Sequence, residues 1–505
     1  MQDTAGTWLM TALTASPLLI ALMQTAASLP VLFLGLPAGA TADMFDRRRL
    51  LIFWQAWMLA TVAVLSMLTV LGVVSPATLL VLTFLLNIGS AMNNPAWQAI
   101  VPELVPRSEL PDAIVLNSAG FNLARAVGPA LGGLAVAAFA SAQMGAAVVF
   151  LLNSASFLAV MFVLYTWKRT PPFNSALPSE RIFGAMRSGL RYVRHSPPLR
   201  AILLRAFLFT GFASAVWALL AVVAQQDLHA GAMAYGVLNG CLGIGAVAGA
   251  SLLPRLRRTM PAEWMLAGAG VIFAGTLTTL ALTRSVPLIV FSLIAAGCAW
   301  TTTTSTLNIA VQLSVPAWVQ ARALGTYQMV FAGGMAGGSA LWGVVAERFS
   351  NPTALLAAAA GMLISVPVAR RFPLLRGAPP DLSPYHRARS APQPIFLPEP
   401  EEGPVLIMIE YRIRLTEKVE FTRALHAVRR IRMRDGAIRW GLFQDTEKPE
   451  RFIETFVMES WLEFLRARER LTDADRVIRD HARSFHLEDE DPHVSRMIYA
   501  RETKA

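Results

Sequence analysis

Long apolar runs broken by short polar punctuation fill the first three quarters of the chain, and apolar positions recur on a shorter scale in the last quarter. A helix needs roughly 20 apolar residues in a row to cross a bilayer. Runs of that kind lie near 17–40, 50–74, 77–95, 113–138 and 146–167, then near 200–224, 232–253, 264–282, 287–311, 323–346 and 352–369. The pattern therefore predicts eleven full spans. Ahead of Pro17 only Ala5–Leu13 is apolar enough to lie in lipid. At 1.5 Å per residue that piece covers roughly 13 Å of a core roughly 30 Å thick, so a twelfth span is predicted in truncated form.

Internal symmetry supports two halves. An offset of 210 residues places Gly39 on Gly249, Arg47 and Arg48 on Arg257 and Arg258, Val105–Pro106 on Val315–Pro316, and Gly128 on Gly338. The expected organisation is a half at 1–167 with an incomplete first helix, a connector at 168–199, and a second half at 200–372. The register leaves the first part of span one unaccounted for before Met1, which predicts that this chain is a fragment of the functional protein. From Pro373 to Pro404 nine prolines in 32 residues predict an extended linker, 373–404.

In the remaining stretch, 405–505, the periodicity predicts strand Val405–Ile413, helix Glu417–Arg432, and strands Ala437–Phe443 and Phe452–Met458. Helices Trp461–Arg470 and Ala474–Phe485 and strand Val494–Ala500 follow. This β-α-β-β-α-β order implies a ferredoxin-like sheet with helices on one face. The fold class expected for the whole is an all-α polytopic membrane protein of two six-helix halves carrying a small α+β domain.

Charge sharpens the division. The first 368 residues hold 29 charged groups and the last 137 hold 48, roughly 8% against 35%. Of the net surplus of +11, +9 belongs to the first 368 residues, in short loops between apolar runs, where it reads as membrane orientation and not as a nucleic-acid surface. One set of loops holds 15 Lys and Arg, the alternate set only Arg284 and Arg348. The positive-inside rule then places the first set, the connector and the tail in the cytoplasm. Cys241 and Cys298 lie in apolar runs without a close partner or His cluster, so no disulfide, metal or cofactor is expected. No Gly-x-x-x-x-Gly-Lys-Ser/Thr loop occurs, which argues against an ATP-driven pump. No Lys or Arg precedes the first apolar stretch, so it does not read as a cleaved signal.

The loop after the second span reads Gly39-Ala-Thr-Ala-Asp43-Met-Phe-Asp46-Arg47-Arg48-Arg49. It resembles the Gly-x-x-x-Asp-x-x-Gly-Arg-Arg loop of the major facilitator superfamily, with Asp46 in place of the second Gly. Gly39 is expected to let helices approach closely, and Asp43 to accept from a helix N-terminus and pair with an Arg, a gating latch with Arg47 and Arg48. Span five contains Asn122-Leu-Ala-Arg125-Ala-Val-Gly128-Pro129-Ala-Leu-Gly132-Gly133. It is similar to the glycine-proline motif of exporters in that superfamily: Pro129 frees a carbonyl, while Gly128, Gly132 and Gly133 make a close-packing, bendable face. Asn94-Pro-Ala-Trp97-Gln98, Pro102-Glu-Leu-Val-Pro106, Leu116-Asn117-Ser118 and Gly189-Leu-Arg-Tyr-Val-Arg194 resemble the transmembrane secretion effector branch, relatives of the enterobactin exporter. The resemblance implies proton-driven export of a small molecule (a siderophore, an antibiotic or another drug-like compound) across a bacterial inner membrane.

An ionised side chain in hydrocarbon is penalised by several kcal/mol unless a partner or cavity meets it. Arg125 lies mid-span, and Asp3 maps by the offset onto the middle of span seven. Both are candidates for coupling or cargo contact, with Asn117 and Asn122 as polar residues lining a path; a static ion pair serves Arg125 equally well. In the tail, Arg434-Asp-Gly-Ala, Arg439-Trp440 and Glu459-Ser-Trp461 resemble antibiotic-biosynthesis-monooxygenase folds. His426, His481, His486 and His493 show no metal spacing and no nucleophile-base order stands out, so regulation, docking or self-association is favoured over catalysis. The alternative is a transporter fused to a domain that modifies its cargo.

Overall fold

A computed structural model describes residues 1–104, 120, 124, 127–167, 182–374, 381–382, 398–488 and 490–500. The chain divides into two compact units: Met1–Ser179 with Ala201–Ala310 and Gly325–Leu374, and Glu180–Arg200 with Val311–Leu324 and Leu375–Ala505.

The first unit is helical. Its elements are α1 (Gln2–Leu13), α2 (Pro17–Met44), α3 (Arg47–Val70), α4 (Pro76–Leu104), α5 (Val127–Ala137) and α6 (Ala142–Thr166). After the connector helix α7 (Ile182–His195) come α8 (Pro197–Val222), α9 (Ala232–Thr259), α10 (Ala262–Leu282), α11 (Val286–Leu313), α12 (Ala317–Arg348) and α13 (Asn351–Arg370). Among the described residues ten helices are long and apolar enough to cross a membrane. Short polar turns start them by capping. The Ser16 hydroxyl accepts from Leu19 N–H with Pro17 at the first position, Asp46 accepts from Arg49 N–H at 2.9 Å, and Ser141 and Ser350 do the same for α6 and α13. Span five is described only from Val127, with Val127–Ala137 as helix.

Leu9, Met10, Ile20, Phe150, Leu219 and Phe273 are fully buried, whereas Phe162 and Phe291 on outward faces are 70% and 72% exposed, as lipid-facing side chains are. In the second half Trp217 and Trp300 approach to 4.3 Å between ring centroids, and Phe209, Phe273 and Phe331 surround them, tying α8, α10, α11 and α12 together.

The second unit holds β1 (Val405–Arg412), α14 (Lys418–Asp435), β2 (Arg439–Gln444), β3 (Arg451–Met458), α15 (Trp461–Glu469), α16 (Asp473–Arg483) and β4 (Val494–Ile498). The antiparallel sheet has the order β2-β3-β1-β4, with Val405 opposite Met458 and Ile498. This is the ferredoxin-like order. Alternate residues Val405, Ile407, Ile409 and Tyr411 face inward, with Phe452, Phe456 and Met458 beside them, and Phe421, Leu425 and Val428 of α14 close the core. Gly436 ends α14 at φ +138°, a conformation that a side chain would strain. The connector belongs to this unit: α7 packs on α14, Arg191 Nη1–H donates to Gly436 O at 2.9 Å, and the Arg434 guanidinium lies 5.4 Å from the Tyr192 ring centroid.

Candidate functional site

The α2–α3 turn is only Phe45 and Asp46 long. Asp46, at φ −60°, caps α3, so a carboxylate oxygen does there what a glycine turn would have done by flexibility. The arginines that follow reach backbone carbonyls. Arg47 Nε–H donates to Ala42 O at 3.3 Å, and Arg48 donates through Nε–H to Leu164 O at 2.8 Å and through Nη2–H to Tyr165 O. A cation at the end of a helix satisfies carbonyls that have no partner within the helix and offsets the dipole. Arg48 thereby fastens the end of α6 to the start of α3. Gly39 departs from expectation. A Cβ built on it meets nothing within 4 Å among the described residues, so no described helix approaches closely there. The Asp43 side chain lies outside the described residues.

The helix-five glycines do pack against neighbours. A Cβ on Gly133 would stand 2.7 Å from both Ala232 O and Gly236 Cα, and one on Gly236 would stand 3.0 Å from Pro129 O. Backbone therefore touches backbone where α5 crosses α9, joining the first half to the second. A Cβ on Gly132 would stand 2.8 Å from the Met1 backbone and one on Gly128 3.4 Å from Met1 N, so the start of α1 abuts α5. Asp3 is exposed in the first turn of α1. Arg125, Asn117 and Asn122, the other members of the expected polar path, lie outside the described residues.

A second seam joins α2 to α12. A Cβ on Gly343 would stand 2.7 Å from Ala21 Cβ and one on Gly333 3.2 Å from Leu32 Cδ1, and Thr25 Oγ1–H donates to Ala336 O at 2.9 Å. At the end of the bundle opposite the Asp46 turn, side chains stitch the halves. The last turn of α8 is π-helical, Val223–Asp227. From it Gln225 Nε2–H donates to Thr11 O at 2.9 Å and Gln226 Nε2–H to Ala15 O at 3.0 Å, while Asn351 donates to Gln226 Oε1 at 3.3 Å. Glu347 Oε2 accepts from the Ser16 hydroxyl and from Leu18 N–H at 3.0 Å. Sequence reading missed this set. A lone acid closing α12 beside an almost uncharged turn was the available signal, but its partner is 331 positions away.

Inside the second half lies a small pocket of about 50 Å³ lined by Phe209, Leu307, Met362 and Val366, with Arg205, Glu263 and Arg370 among its polar walls. Arg205 is 6% exposed, and its donors are taken: Nε–H by Phe372 O at 3.1 Å, Nη2–H by Ala369 O at 2.7 Å, and Nη1–H by Glu263 Oε2 at 2.8 Å. It offers a ligand no free charge.

The soluble domain buries charge differently. Glu454 is fully buried on β3, where Oε1 accepts from Arg432 Nε–H and Trp440 Nε1–H, both at 3.1 Å. Arg434 grips Asp435 at 2.8 Å and Asp475 at 2.6 Å. Burial pushes the Asp435 carboxyl up to about 6 despite that guanidinium. Among the described residues no three His, Cys, Asp or Glu gather as metal ligands.

Comparison with known proteins fits this architecture. The chain is 28% identical over 363 residues to the uncharacterized MFS-type transporter YfiS of Bacillus subtilis, covering 68% of this chain and 81% of that one. It is 26% identical over 379 residues to the multidrug efflux pump Tap of Mycolicibacterium fortuitum, covering 73% and 90%. The D323A mutant of the nucleoside transporter NupG shares the fold with a TM-score of 0.58 at 13% identity, over 73% of this chain and 94% of that one. The protein is thus a multi-pass membrane transporter of the major facilitator type. A family model described as transmembrane secretion effector matches residues 1–504, and the chain belongs to that family.

Proposed function

We propose that this transporter exports a small molecule from the bacterial cytoplasm by alternating access, with protons as the coupling ion. The observation that carries the reading is the placement of the contacts between halves. Gly133 and Gly236 bring backbone against backbone and Gly343 bears on Ala21 Cβ near one end, and the Glu347, Gln225 and Gln226 hydrogen bonds gather there, while a Cβ on Gly39 near the other end meets nothing within 4 Å among the described residues. Two rigid halves joined in this way rock about a central site. The excess of Lys and Arg on the Asp46 side supports a cytoplasmic position for that end and for the tail. The Tap efflux pump makes a drug-like compound the cargo class to test first. Cells that express the chain should accumulate several-fold less ethidium than cells without it, and a protonophore should erase the difference. Equal accumulation with and without the chain rejects ethidium as cargo, and a difference that survives the protonophore rejects proton coupling.

The soluble domain, on this reading, binds and regulates and does not catalyse. Glu454, its most buried acid, already accepts from Arg432, Trp440 and Tyr411, so this carboxylate is held in a structural pairing and is not offered to a substrate. The sheet face away from the helices carries Leu406, Met408, Phe443, Ile453, Val457 and Met497, with Phe443 61% exposed, and supports self-association with a second copy.

A further inference from the structure

We propose that Glu347 is a positioning residue of the transport cycle, a latch that holds the α1–α2 turn against α12 and must release whenever that end of the bundle opens. The proposal rests on the alternating-access reading above.

The geometry is specific. Glu347 occupies the last turn of α12, and its Oε2 accepts from Leu18 N–H and from the Ser16 hydroxyl. The Ser16 oxygen in turn accepts from Leu19 N–H at 3.3 Å. Pro17 has no N–H, so one carboxylate and one hydroxyl together meet the free donors of the first turn of α2. The positive end of a helix favours an anion there, and this anion comes from the other half of the protein. The neighbouring bonds between the halves, Gln225 to Thr11 O and Gln226 to Ala15 O, are amide-to-carbonyl and neutral. The other charges at this end are Asp227, which pairs with Arg284 at 3.1 Å, and Arg348, which follows Glu347 in the chain. Glu347 is therefore the charged member of the stitch.

One turn deeper, a Cβ on Gly343 would stand 2.7 Å from Ala21 Cβ and 3.2 Å from Leu18 Cα. With so little space between α2 and α12, a side-chain rotation cannot open the seam; the helices must separate, and separation breaks the Glu347 bonds. Glu347 itself is exposed, so its removal empties no core. Its loss should act on the balance between the closed and open states of this end and leave the fold intact.

The test uses the full chain in proteoliposomes, with Cys241 and Cys298 replaced by alanine and a single reporter cysteine labelled by a membrane-impermeant maleimide. Leu18→Cys reports on the latch end and keeps the backbone N–H that Glu347 binds. Leu32→Cys reports on the seam further toward the other end. Glu347→Ala should raise the labelling rate at Leu18→Cys about tenfold, which corresponds to about 1.4 kcal/mol, and lower it at Leu32→Cys. Glu347→Gln keeps an acceptor oxygen without the charge and should fall between the two. An unchanged rate at Leu18→Cys in Glu347→Ala overturns the latch. A rise there with no change at Leu32→Cys keeps the latch and overturns the alternating-access reading.

Discussion

The two units of this protein differ in how their arginines meet backbone carbonyls. In the membrane unit Arg47 and Arg48 donate to the carbonyls of Ala42, Leu164 and Tyr165, and Arg205 to those of Ala369 and Phe372 as well as to Glu263. In the soluble domain Arg432, Arg434 and Arg451 grip the carboxylates of Glu454, Asp435, Asp475, Glu410 and Asp445. In the membrane unit Gly133, Gly236 and Gly249 also press backbone on backbone between helices. Lipid gives no hydrophobic drive for helices to associate, so close packing and helix-end carbonyls supply the contacts. Water around the soluble domain restores that drive, and side-chain ion pairs then decide which packing is unique.

Breaking the ion pairs should have the largest effect. Glu454→Ala leaves the 14%-exposed Arg432 side chain without its anion, and the soluble domain should lose about 4 kcal/mol in denaturant titrations followed by tryptophan fluorescence. Arg205→Leu tests the membrane side. Glu263 is 35% exposed and keeps water as a partner, so the loss should be about 2–3 kcal/mol, read as a lower midpoint of thermal unfolding in detergent. A Glu454→Ala loss smaller than that of Arg205→Leu would reverse the comparison.

Gly133→Leu sharpens it. The new side chain has backbone on two sides at 2.7 Å, so overpacking by about 1–3 kcal/mol should part α5 from α9. Export should fall at least tenfold in protein that still inserts, whereas the same change at Gly39, where a Cβ meets nothing within 4 Å among the described residues, should leave the amount of folded protein unaltered.

The smallest expected effect is a pH slope. Burial raises the Asp435 carboxyl to about 6 from the 3.8 of an exposed group. The folded domain therefore binds this proton more tightly than the unfolded chain, and the stability tied to it falls as pH rises from about 4 through 6. The domain should be about 1 kcal/mol more stable at pH 5 than at pH 7 on this account. Asp435→Asn should remove that part of the slope, and an unchanged slope in the variant would assign it to other groups.

Much of the architecture was legible because it is written in local periodicity. Apolar runs marked the helices, and the alternation in Val405–Arg412 and Arg451–Met458 marked strands. The glycines of helix five were legible as a packing face, although which of them meets the other half was not. Gly39 misled, because a glycine permits close approach without requiring it. The carbonyls that Arg47 and Arg48 reach, left open where α2 and α6 end, were not legible, because sequence lists charged side chains and hides backbone acceptors.

The sequence by itself determined that this is a membrane bundle of two related halves with a ferredoxin-like domain behind it, because hydropathy and repeat register act within one or two turns of a helix. The tertiary structure alone decided that Glu347 meets Ser16, that Gly133 meets Gly236, and that the connector residues Arg191 and Tyr192 rest on the Arg434–Gly436 corner. Those pairs join positions from 103 to 331 residues apart, and only packing in three dimensions selects one partner among the many of similar chemistry along the chain.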